Sequence, residues 1–187
     1  MIGEGAIVLE WCGEGPVDVR LLERVRGQVE VAFGVPTSVR AVNGPPADTL
    51  DPQRKQRSST KILRWILERT PPGPLRVVGI TDADLFIPVL TFVFGEAQLG
   101  GRAAVVSTAR LKATAGRRPV PPGLLTRRLL RECLHELGHS FGLTHCPDAA
   151  CVMSRCHSVA DLDNQRAGFC RDCRQRLRIF QQERDQA

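Results

Sequence analysis

Three of the chain's four histidines fall in one stretch, His135-Glu136-Leu137-Gly138-His139-Ser140-Phe141-Gly142-Leu143-Thr144-His145. At about 3.6 residues per turn, His135 and His139 stack on one helix face, where both imidazoles reach a single metal ion at about 2.0–2.1 Å. Glu136 sits beside that ion, placed to hold a water molecule and take its proton as a general base. Gly142 permits the left-handed turn that ends a helix, so the chain doubles back and presents His145 as a third ligand. Three protein ligands leave one coordination position for water, as a catalytic zinc requires. A bare H-E-x-x-H arises by chance in many helices. Gly142 and His145 at their offsets separate this stretch from such accidents.

A second cluster begins at the next residue. Cys146 and Cys151 form C-x4-C, and Cys170 and Cys173 form C-x2-C farther along. Paired thiolates of this kind suit a closed tetrahedral zinc, with four sulfurs at about 2.3 Å and no room for water. Two other readings fit the same residues: a pair of disulfides, or buried free thiols that pack as small apolar groups. Because Cys146 directly follows His145, an ion at the cysteines would also hold the third histidine in place. The expectation is two zinc ions, one catalytic and one structural. Cys156 and His157 lie in the same region and offer substitute ligands; the favoured reading of both is a surface loop.

Together these residues resemble the archaemetzincins, a metzincin-like metalloprotease family marked by H-E-x-x-H-x-x-G-x-x-H running into C-x4-C-x-M and a later C-x2-C. The match takes in His135 to His145, then Cys146, Cys151, Met153, Cys170 and Cys173. Upstream, the stretches Gly79 to Leu85, Phe92 to Ala97 and Ala104 to Thr108 are similar to that family's sheet region. The resemblance implies that Met153 forms a Met-turn beneath the catalytic metal, although a lone methionine is by itself core filling. It also implies an antiparallel edge strand, here around Phe92–Ala97, that binds substrate in extended form by β-addition. The spacer of 16 residues between Met153 and Cys170 is one shorter than the family pattern. The chain also lacks tyrosine. Some metzincins use one to assist the oxyanion, so that help must come from the metal, an amide or another side chain.

The remaining composition bounds the alternatives. A length of 187 residues with 42% hydrophobic content suits one compact domain with a real core. No apolar run is long enough to span a membrane. The start, Met1-Ile2-Gly3-Glu4, carries an early acid and no basic region, so a secretion signal is not expected. A reducing cytoplasm follows, which favours zinc thiolates over disulfides and leaves Cys12 and Cys133 as free structural thiols. A net charge of +6 invites a nucleic-acid partner, yet 5% aromatic content offers little to stack bases on. Most of Arg54-Lys55, Arg117-Arg118, Arg127-Arg128 and the arginines from 171 to 178 read as solvated helix faces, and an acidic peptide suits the same charge.

The elements that must position these residues alternate between strand and helix. Apolar runs predict strands at Ala6–Leu9, Thr37–Ala41, Leu75–Ile80, Phe92–Ala97 and Ala103–Ser107. Helical spacing and punctuation predict helices at Val17–Phe33, opened by Pro16 and closed by Gly34, and at Ser59–Arg69, stopped by Pro71-Pro72-Gly73-Pro74. Two more are expected, Leu124–Phe141 after Pro121-Pro122-Gly123, and Arg171–Glu183, with residues 44–57 as loop. The fold class is α/β (α+β): a mixed, mostly parallel twisted sheet packed with helices. The layout expected is a single metalloprotease domain over 1–187, with an N-terminal subdomain at 1–145 and a zinc-stapled C-terminal subdomain at 146–187. The predicted reaction is peptide-bond hydrolysis by a Glu136-assisted, zinc-bound water, in a monomer acting on a peptide or protein, as aminopeptidase or endopeptidase. Two rival classes are a catalytically silent, zinc-stabilised binding protein and a basic nucleic-acid-associated zinc protein.

Overall fold

The computed structural model describes residues 5–70, 73, 75–113, 120–121 and 123–185. Its centre is a five-stranded sheet built from β1 (Ile7–Trp11), β2 (Thr37–Ala41), β5 (Arg76–Thr81), β7 (Gly95–Ala97) and β8 (Ala103–Ser107), in the order β2-β1-β5-β8-β7. The first four run parallel, and β7 lies antiparallel on β8 at one edge. The interior strands are mostly apolar because helices cover both faces, with Glu10 of β1 the buried charged exception. Alternation then sorts the side chains: Ile7, Leu9 and Trp11 face one core, and Val8 faces the other. The first core is closed by α1 (Val19–Phe33) and α3 (Leu124–Ser140), the second by α2 (Ser59–Arg69).

Several boundaries differ from expectation for local physical reasons. The first strand continues to Trp11, and α1 starts at Val19 because the Asp18 carboxylate accepts from Leu21 N at 3.0 Å and caps the helix there. Gly34, at φ 64°, closes α1 as predicted. Residues 44–57 are not all loop. They hold a 3-10 turn (Ala47–Thr49), β3 (Leu50–Asp51) and β4 (Gln56–Ser58), which join β6 (Leu85–Phe86) in a second small sheet. The interior of this piece is polar: buried Arg57 donates to Pro46 O and Thr49 Oγ1 and pairs with Glu14, a pattern that apolar periodicity does not report. In the predicted strand Phe92–Ala97 only Gly95–Ala97 is regular; Val93 makes an isolated bridge to Leu85. Of the proline stop at 71–74 only residue 73 is described, and Pro122, Arg117 and Arg118 lie outside the described residues.

The C-terminal part folds back onto α3. A short helix that the sequence reading did not anticipate, α4 (Val159–Asn164), begins at Ser158, whose hydroxyl accepts from Asp161 N. The last helix, α5 (Arg171–Asp185), sends Cys173 and Leu177 into the main core. Among the described residues no helix is long and apolar enough to cross a membrane.

The start of α3 is held by Arg128. Its buried guanidinium donates to both oxygens of Asp163 on α4 at 2.9 and 2.7 Å, and to Leu111 O and Ala113 O at 2.7 Å each. Arg128→Met keeps the aliphatic packing and deletes these charge-assisted bonds, so chemical denaturation should show a loss of about 2–4 kcal/mol. A change below about 0.5 kcal/mol, the scatter of ordinary surface substitutions, would refute the anchoring role.

Candidate metal centre and active-site cleft

Helix α3 carries His135, Glu136 and His139, and the turn after it delivers His145. The turn forms because Gly142 adopts φ 95°, a region that β-carbons disfavour. Gly142 N then donates to His139 O and Leu143 N to Gly138 O, both at 2.9 Å, so the last carbonyls of the helix are satisfied as the chain reverses. The three histidine rings converge with centroids 4.6 to 5.4 Å apart. One ring nitrogen from each lies within 4.8 Å of the others.

Backbone carbonyls set the chemistry of two of these rings. Nδ1 of His135 donates to Val152 O, and Nδ1 of His139 donates to Leu143 O, both at 2.7 Å. A carbonyl only accepts, so each Nδ1 carries the proton and each Nε2 presents its lone pair. The two Nε2 atoms are 3.1 Å apart. Two nitrogens on a tetrahedral zinc stand about 3.4 Å apart, so the pair fits one ion closely. Burial, with His139 nearby, lowers His135 to about 3. Burial lowers His139 and His145 as well, and all three rings are neutral near pH 7, the form that ligates metals. His145 differs in one respect: its Nδ1 accepts from the exposed Arg155 Nε at 3.1 Å. Ligation through its Nε2 requires that contact to yield.

Glu136 is buried beside these rings and approached closely by the sheet edge. A β-carbon on Gly95 would stand 2.8 Å from Glu136 Oε1, so only glycine lets β7 come this near. Burial raises the Glu136 carboxyl well above the usual range, with Glu132 and Glu96 adding to the rise. The rings and Glu136 open onto a cleft of 590 Å³, walled by the 90–96 segment on one side and by Arg155, Cys156 and His157 on the other.

The four cysteines meet beneath His145. Cys146, Cys151, Cys170 and Cys173 place their sulfurs within 4.8 Å of one another. Cys146 Sγ and Cys170 Sγ are 3.8 Å apart, far beyond a disulfide of about 2.05 Å and close to the separation of about 3.8 Å for two thiolates on a tetrahedral zinc. Backbone amides point at the sulfurs: Met153 N and Cys170 N toward Cys151 Sγ, and Cys173 N toward Cys170 Sγ. All seven cysteines are unbridged, and Cys12 and Cys133 are buried, as expected. Cys156 and His157 stand on the cleft wall, apart from this cluster.

Met153 is fully buried under α3, where a β-carbon on Gly138 would be 2.4 Å from its sulfur. Sequence reasoning named the ligand-type residues but missed Gly138, Gly95, Glu132, Arg155 and the carbonyls of Leu143 and Val152. The glycines lay within quoted motifs without an assigned packing role; the carbonyls leave no signal in residue type.

The family model for Peptidase family M54 matches residues 73–179, and the chain belongs to that family. An archaemetzincin from Methanopyrus kandleri is 48% identical over 102 residues, which cover 54% of this chain and 55% of that relative, so little more than half its length is matched. One from Pyrococcus abyssi is 33% identical across 92% of this chain and 94% of its own. The crystal structure of the Methanopyrus kandleri archaemetzincin superposes with a TM-score of 0.85 at 33% identity, covering 96% of each chain.

The Gly138 contact is testable. Gly138→Ala gains up to about 1 kcal/mol in helix propensity but pushes on packed Met153, for a net loss of about 1–2 kcal/mol. In a Met153→Ala background the same substitution should cost less or stabilise, as a double-mutant cycle on thermal unfolding would read; equal costs in both backgrounds would disprove the close packing.

Proposed function

We propose that the chain is a zinc-dependent peptidase that hydrolyses peptide bonds. In this reading His135, His139 and His145 hold the catalytic zinc, Glu136 is the general base, Met153 forms the Met-turn, and Cys146, Cys151, Cys170 and Cys173 hold a structural zinc. The observation that carries it is the pair of carbonyl-tied imidazoles whose free Nε2 atoms stand 3.1 Å apart at the floor of an open cleft, beside a buried carboxylate. Membership of Peptidase family M54 supports it. A zinc ion held there supplies Lewis-acid polarisation of the scissile carbonyl and lowers the pKa of a water molecule to about 7.

The chain's own groups do the rest. Glu136 takes the proton of the attacking water and passes it to the leaving amine; a carboxyl raised by burial holds that proton between the two steps. The free edge of β7 aligns the peptide. Phe94 O and Gln98 N already pair with Ser107 and Ala103, so by alternation the backbone groups of Gly95 and Ala97 turn outward toward an added strand. Phe92 and Phe94, packed edge to face at 5.3 Å, wall the cleft and limit water beside the reacting atoms.

Glu136→Gln should keep its zinc while kcat/KM on a cleaved peptide falls by about 10²- to 10⁴-fold; undiminished turnover in a fully loaded variant would exclude this base. Cys170→Ser combined with Cys173→Ser should lower the zinc content from two ions per chain to one in native mass spectrometry. Two ions retained would remove the four-cysteine assignment.

A further inference from the structure

Three acids are buried among the described residues: Glu10, Glu132 and Glu136. Glu10 is paired in the interior with Arg40, at 2.6 Å, and with Arg69. Glu136 has the proton-transfer role proposed above. Glu132 is 5% exposed, and among the described residues no donor reaches its carboxylate. A buried carboxylate with no hydrogen-bond partner is costly, and the usual reasons for keeping one are functional.

Its position says what it faces. Glu132 precedes His135 by three residues and Glu136 by four on α3, so all three share one helix face. It lines the same cleft as the metal centre, one turn farther back along the helix. Phe92 and Phe94 line that cleft too, with Cys156 and His157. The cations nearby are directed elsewhere. Arg131, its neighbour in the chain, turns to Asp163 at 3.9 Å, and Arg155 donates to His145, a contact that metal ligation would break without bringing Arg155 any partner observed at Glu132. The cleft lining thus combines aromatic rings with an acid that no donor reaches among the described residues. A side chain with an apolar stem and a cationic head is complementary to both features.

The geometry points to Glu132 as a specificity residue that receives a substrate cation, an ammonium or guanidinium, beside the scissile bond. The inference rests on the peptidase reading and adds to it the chemistry of the preferred substrate. Burial alone raises Glu132 to about 8, so near pH 7 the group is largely protonated until a cation arrives. A cationic guest restores the charged form and gains a charge-assisted hydrogen bond; a neutral guest of the same shape gains neither. The cation has two possible sources, a lysine or arginine side chain or the free amino terminus of the peptide.

The test uses the full zinc-loaded chain and matched peptides carrying lysine, arginine, norleucine or citrulline next to the cleaved bond, each with a free and an acetylated amino terminus. Cationic peptides should exceed their neutral counterparts about tenfold or more in kcat/KM, and Glu132→Gln should bring that ratio close to one. A preference for lysine and arginine that survives acetylation assigns the site to the side chain. A preference for the free terminus, lost on acetylation, assigns it to the terminal amine. Equal cleavage of cationic and neutral peptides by the unaltered chain, or a ratio unchanged in Glu132→Gln, would overturn the inference. A binding arm separates this from the peptidase reading. Agmatine, titrated calorimetrically, should bind the zinc-loaded chain and bind Glu132→Gln at least about tenfold more weakly. Agmatine binding without cleavage of any peptide would overturn the peptidase reading and uphold the cation site, and absence of Glu132-dependent binding would overturn the cation site whatever the cleavage result.

Discussion

The three-histidine cluster depends on two hydrogen bonds that no side chain accepts. Val152 O and Leu143 O fix the protons of His135 and His139 on Nδ1, and both carbonyls belong to the chain that leaves α3 and returns beneath it. Without them each ring would be free to rotate or change tautomer, and the lone pairs would no longer share a focus. The left-handed turn at Gly142 places the carbonyl of Leu143, and that of Val152 comes second along the chain. The second is held by its neighbours: Cys151 precedes Val152 and Met153 follows it, the one in the thiol cluster and the other under Gly138. Cys146 N also donates to Met153 O at 2.9 Å, tying the two ends of this segment together. The cysteine cluster therefore brackets the loop that bears His145 and orients His135.

Much of this was legible in the sequence where the determinant is local. Helix spacing alone brings His135 and His139 to one face, Ser59 and Arg69 bound α2 as read, and the run Ala103–Ser107 is buried because both of its faces are covered. The parallel order of the sheet followed from the alternation of apolar runs with amphipathic helices. What stayed hidden was set by distant contacts. The piece containing β3 and β4 is held by buried Arg57 and its bonds to Pro46 and Thr49, and α4 is only six residues long, too short for periodicity to register. Gly95 was one letter in a strand pattern until β7 was placed against Glu136, some forty positions away in the chain.

The two sides of the cleft differ in construction. One is the rigid sheet with its aromatic flank, continuous with the core. The other is the segment at Arg155–His157, which follows buried Ser154 and is steadied by Gln165, whose amide donates to Ser154 O and Oγ at 3.0 and 2.8 Å. Arg155 and His157 on that wall are exposed, whereas Glu132 on α3, which lines the same cleft, is only 5% exposed.

The brevity of β7 has a consequence for what can be processed. Three residues offer a rail of about 10 Å, enough to grip a polypeptide only where its main chain is already straight and bare of other partners. A compact domain keeps such groups engaged in its own ladders and helices. Under the proposed peptidase function the cleft would therefore filter conformation, sparing intact folds and admitting loose ends, linkers and fragments.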